Sequence, residues 1–100
     1  MKIPKKIKVG GHVYRVIYPC DFAENKNLRG QHDGDTKEIR ISDDGPESVI
    51  AETLLHEILH AVDSVTGYKL FEDNERAIVG IGEALFQVLR DNNLDFRDKS

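Results

Sequence analysis

Thr53-Leu54-Leu55-His56-Glu57-Ile58-Leu59-His60-Ala61-Val62-Asp63 places two histidines four residues apart inside an apolar stretch. At that spacing on a helix, two residues lie ~40° apart around the axis and one turn along it. Imidazoles so placed can both reach one zinc ion at ~2.0–2.1 Å. Glu57 lies ~100° from His56, close enough to hold a water at the metal. It is positioned to take that water's proton and pass it to a leaving amine. With four histidines and eight glutamates among 100 residues, the HExxH pattern arises by chance in about 1% of such compositions. The pattern therefore needs support from its surroundings.

The surroundings read as one helix. Asp43-Asp44-Gly45-Pro46 supplies turn residues, acids suited to a helix N-terminus and a proline suited to the first turn, while Gly67 supplies a stop. The helix is expected from Pro46 to Thr66. Leu55, Leu59 and Val62 fall on one side of the histidine face, and Ile50, Leu54, Ile58, Ala61 and Val65 on the other. A helix this apolar is expected to be central and buried, with His56 and His60 in its polar gap. Polar groups in such a gap need partners, and a metal ion would satisfy both imidazoles together. The alternative is two ordinary hydrogen-bonded histidines with Glu57 solvated.

A second helix is expected from Asp73 to Asn92, with Ile78, Ile81, Leu85, Val88 and Leu89 at helical spacing. Gly80 and Gly82 within it suggest close approach of the two helices, because mid-helix glycine costs ~1 kcal/mol against alanine. Upstream, two β-rich runs around Gly10-Gly11, including Ile7, Val9, Val13, Tyr14, Val16 and Ile17, read as a hairpin. Thr36 to Ser42 alternates, with Ile39 and Ile41 on one face and Glu38 and Arg40 on the other, as a half-buried strand does. The rest of Pro19 to Gly45 reads as loop. The expected fold is α+β: residues 1–100 as one domain, sheet-rich over 1–45 and helical over 46–100, with a small sheet packed on two long helices.

A zinc site of catalytic type has three protein ligands and one open position. No histidine follows His60, so the third ligand is an acid, or His12 or His32. Glu75 flanks the apolar stripe of the second helix and is the expected ligand, with Glu72, Asp73 and Glu83 as alternatives. Asp63 lies ~20° from His56 on the wheel and is a candidate to orient a ligand imidazole. Its alternative role is an exposed acid near a helix end. Tyr68 is a candidate to polarise a substrate carbonyl, or a packing residue.

The stretch from Thr53 to Asp63 resembles the gluzincin branch of the zincin metallopeptidases. It is especially similar to small phage and bacterial proteins of the minigluzincin or ImmA/IrrE-like type, over roughly the C-terminal two-thirds of the sequence. Asn74-Glu75 resembles the gluzincin glutamate motif, which implies Glu75 as a zinc ligand. The resemblance implies a zincin-like fold and peptide-bond hydrolysis through a water at Zn2+, activated by Glu57. It also implies that extended substrate adds to a strand beside the helix, with Thr36 to Ser42 as the candidate edge. Only 14 residues separate His60 from Glu75, a short connection for that branch, and no substantial C-terminal subdomain is expected after the second helix.

Composition narrows the alternatives. A net charge of −4 argues against a nucleic-acid-binding domain, and the lysines at 2, 5, 6 and 8 suit a solvated strand edge. The single cysteine, Cys20, permits no intrachain disulfide and is expected to be small and partly buried. Met1-Lys2-Ile3-Pro4 has no apolar signal core, and no stretch approaches the ~20 apolar residues of a membrane span, so a cytoplasmic setting is expected. The expected partner is a peptide or protein substrate. The rival readings are a zinc-stabilised protein-binding module, with His32 as a possible fourth ligand, and a metal-free interaction domain.

Overall fold

The structure, a computed structural model, describes residues 2–25, 27–72 and 74–98. Its elements in chain order are β1 (Lys6–Val9), β2 (His12–Ile17), β3 (Gly30–Asp33), β4 (Glu38–Ile41), α1 (Glu47–Thr66) and α2 (Glu75–Asn92). The architecture is α+β, as expected, with a four-stranded mixed sheet and two helices.

β1 and β2 form the expected antiparallel hairpin, pairing Val9 with His12 and Ile7 with Tyr14. Gly10 turns it at φ +59°, and a Cβ there would stand 2.6 Å from Val65 Cγ1. Glycine thus provides both the turn and the close approach to α1. The exposed Lys6 and Lys8 lie on β1, an edge of the sheet, where their charges discourage further pairing.

The strand order is β1-β2-β4-β3, with β2 and β4 parallel and β4 and β3 antiparallel. This corrects two expectations. The segment read as an edge strand, Thr36 to Ser42, contains β4, which is interior and hydrogen-bonded on both sides. The open edge on that side is β3, within the region read as loop. Its sequence, Gly-Gln-His-Asp, has no apolar alternation to announce a strand. Interior placement suits β4, whose Ile39 and Ile41 are fully buried. Glu38, on the opposite face from Ile39 and Ile41, is covered by Arg15 and Arg40, whose side chains donate hydrogen bonds to it.

Val9, Tyr14, Val16, Ile39 and Ile41 form the sheet side of the core, against Ile50, Leu54 and Ala61 of α1. α1 begins with Pro46 at its N-cap and stops at Gly67, whose left-handed φ of 68° lets its N–H reach the Asp63 carbonyl. α2 begins after Asn74, whose side chain accepts from the Ala77 N–H. Asp73, the expected first residue of α2, lies outside the described residues. Cys20 is half-buried, as expected. Among the described residues, no helix is long and apolar enough to cross a membrane.

α2 packs on α1 and has no substantial contact with the sheet. Only a narrow face of α2 is therefore covered. Ile78 and Gly82 are buried and Leu85 and Leu89 half-buried, whereas Ile81 and Val88 are 47% and 40% exposed. The five-residue apolar stripe expected of this helix is thus only partly used. Gly82 faces Leu59, with 3.6 Å between a built Cβ and Leu59 Cδ1, but Gly80 faces open space. A Cβ would be accepted at that ordinary contact distance, so close approach of the helices requires glycine at neither position. Gly80→Ala is expected to stabilise the protein by about 0.5–1 kcal/mol through helix propensity. Urea denaturation reads this directly, and a loss of stability would show that Gly80 has a packing role.

Candidate metal centre

The sheet-facing stripe of α1 runs Ile50, Leu54, Glu57, Ala61 at helical spacing. Glu57 occupies a core position in that stripe and is only 7% exposed. His56 and His60 flank it on the half-buried face, their ring centroids 5.1 Å apart and tilted by 58°. The helix thus sorts the motif, sending its carboxylate inward and its imidazoles to the rim.

Both imidazoles turn the same nitrogen toward α2. His60 Nε2 donates to Glu75 Oε1 at 2.7 Å, and His56 Nε2 lies 3.2 Å from Glu75 Oε2. Glu75 is the first residue of α2, which puts its carboxylate at the positive end of that helix. The ligand atoms of His56, His60 and Glu75 all lie within 4.8 Å of one another. A tetrahedral zinc with ~2.1 Å bonds holds its ligand atoms about 3.4 Å apart. Two imidazole nitrogens and a carboxylate at these separations fit such an ion with small side-chain adjustments.

The other acids and histidines considered from the sequence sit elsewhere. His12 is exposed at the start of β2, and Glu72 is exposed in the connection between the helices with φ 42°. Asp73 lies outside the described residues. Glu83 lines a cavity beside His56 and Glu57 but is not part of the ligand group. His32 is engaged with Tyr14, whose hydroxyl lies 2.9 Å from His32 Nε2, and its ring lies parallel to that of His60 at 6.4 Å. Burial, with the neighbouring His60 second, lowers the pKa of His32. Burial raises that of the fully enclosed Tyr14. Among the described residues the ligand group has three members, which leaves one side open.

The expected role of Asp63 differs from the contacts found. Its carboxylate accepts the Leu70 N–H at 2.6 Å, tying down the connection between the helices. No hydrogen bond joins it to either imidazole among the described residues. The physical reason is proximity: the chain leaving α1 folds back and offers an unsatisfied backbone donor at that point. Tyr68 is 77% exposed and packs little.

One contributing residue escaped the sequence reading. Gly30, which opens β3, lies against Glu57: a Cβ there would come within 2.7 Å of Thr53 Cγ2 and 2.9 Å of Glu57 Oε2. Its lack of a side chain lets the β3 edge lie directly on the buried carboxylate. Nothing in a polar Arg-Gly-Gln-His run signals this, since the constraint comes from a helix more than twenty residues away.

Glu57 makes no hydrogen bond among the described residues. Burial, with the negative charge of Glu75 second, pushes its pKa from 4.5 up to about 7. The folded chain therefore binds this proton more tightly than the unfolded chain does. The resulting penalty is absent below pH 4.5 and grows as pH rises toward 7. In metal-free protein, Glu57→Gln should remove up to about 3 kcal/mol of stability loss over that interval. Urea unfolding in chelator at pH 5 and pH 8 measures it, and parallel profiles for wild type and variant would contradict it.

No protein-family model, curated protein or solved structure matches the chain.

Proposed function

We propose that the chain is a zinc-dependent peptidase, a small gluzincin-like zincin acting on peptide bonds in the cytoplasm. The observation that carries this reading is the convergence of His56, His60 and Glu75 on one open-sided point beside the buried Glu57. His56 Nε2, His60 Nε2 and a Glu75 carboxylate oxygen would hold the ion. When bound, zinc supplies Lewis acidity toward a carbonyl oxygen and lowers the pKa of water toward ~7.

The chain's own residues supply the remainder. A carboxylate with a pKa near 7 is matched to accept a proton from an attacking water and return it to a leaving nitrogen. Both transfers would pass through the Glu57 carboxylate, whose wall position excludes bulk water on its inner side. The open edge of β3 can bind an extended peptide by strand addition, with Gly30 bringing that backbone close to Glu57. His32, whose Nε2 meets the Tyr14 hydroxyl, stands outside the group of ligand atoms formed by His56, His60 and Glu75. That supports a catalytic arrangement over a closed, purely structural metal site.

Purified protein is expected to contain about one zinc per chain by elemental analysis. His56→Ala and Glu75→Ala should each lose it. Glu57→Gln should retain the metal while cleavage of an unstructured protein such as casein falls by at least ~10²-fold. Cleavage that survives Glu57→Gln, or a metal content unaffected by Glu75→Ala, would refute the assignment.

A further inference from the structure

Next to His56 and Glu57, the segment leading into β3 and the two helices flank a half-open cavity of about 300 Å³. That lies at the small end of the ~300–1,000 Å³ range of ligand pockets and suits a single side chain. Leu28 and Val79, 38% and 41% exposed, give it an apolar flank. Glu52 and Glu83 contribute one carboxylate from each helix. Glu57, more than nine-tenths buried and without a hydrogen bond among the described residues, also lines it. The cationic residue in the lining, Arg29, is held elsewhere: its Nη1 donates to the Asp44 carbonyl at 2.8 Å and lies 3.0 Å from where a Cβ on Gly45 would stand. Gly82 also lines the space.

We propose that this cavity is a subsite for a basic side chain, lysine or arginine, of a peptide residue flanking the bond that is cut. The proposal rests on the peptidase reading, in which the peptide lies along β3. The aliphatic stem packs on Leu28 and Val79 while the charged head reaches Glu52 and Glu83, the usual division of a long cationic side chain between apolar and wet surroundings. The same two carboxylates repel an acidic side chain, so selectivity comes from rejection as well as attraction.

The test uses zinc-loaded protein and hexapeptides of alanine and glycine with one central lysine, norleucine or glutamate. Lysine peptides should be cleaved roughly tenfold faster than norleucine peptides, with glutamate peptides slowest. The lysine-to-norleucine ratio should fall toward one in the Glu52→Gln/Glu83→Gln double variant, and Glu83→Lys should shift preference toward glutamate. Fluorescence anisotropy with the Glu57→Gln variant should give the same order of binding, weakening with added salt. Glu57-dependent cleavage with a ratio near one in wild type, or a ratio unchanged in both variants, overturns the subsite and leaves the peptidase reading standing. Absence of Glu57-dependent cleavage of any peptide overturns the peptidase reading. The anisotropy order then decides the subsite, equal binding of lysine and norleucine peptides overturning it.

Discussion

Burial of one stripe of α1 against the sheet is the constraint from which the rest of the molecule follows. Ile50, Leu54 and Ala61 meet Tyr14, Val16, Ile39 and Ile41 in a close-packed layer. Because a helix repeats every 3.6 residues, seating those three also seats Glu57. The carboxylate is carried into the interior by its neighbours, and its affinity for a proton rises as a result. The same rotation leaves His56 and His60 at the rim, where α2 can meet them. The arrangement of these three side chains is thus a by-product of how the core is packed.

α2 has a different part. It adds little to the core, since it packs on α1 and leaves Ile81 and Val88 exposed. Its first residue, however, completes the cluster, and its N-cap Asn74 defines where that residue stands. A carboxylate at a helix N-terminus is favoured by the helix dipole whether or not a metal is bound. Glu75 is therefore held in place by local forces and does not depend on the metal to find its position.

Local patterns in the chain made much of this legible. The hairpin followed from β-rich runs around Gly10, the bounds of α1 from Pro46 and Gly67, and the pairing of Glu75 with the histidines from its place beside the apolar stripe. Features that depend on distant parts of the chain were not legible. β3 is a strand because β4 offers it hydrogen bonds, and its four residues carry no periodic signal. For the same reason alternation in Glu38–Ile41 marked a strand but could not mark it as interior. Asp63 shares α1 with both histidines, yet the returning backbone at Leu70 claims its carboxylate. Periodicity reports which residues share a face; it does not report which neighbour arrives to cover it.

The contact between His60 and Glu75 closes a loop whose 14 intervening residues include the exposed Tyr68. In polymer terms, the entropy lost on closing a flexible loop grows only with the logarithm of its length, about 0.6 kcal/mol per doubling. Extra chain inserted near Tyr68 would thus cost the cluster little, provided Asp63 keeps its hold on Leu70 and Asn74 still caps α2. The geometry of the three side chains is in this sense uncoupled from the length of the segment between them. A fold wired this way can acquire or shed a wall beside its cleft without rebuilding the centre, so insertions at this turn are a low-cost route to new binding surfaces.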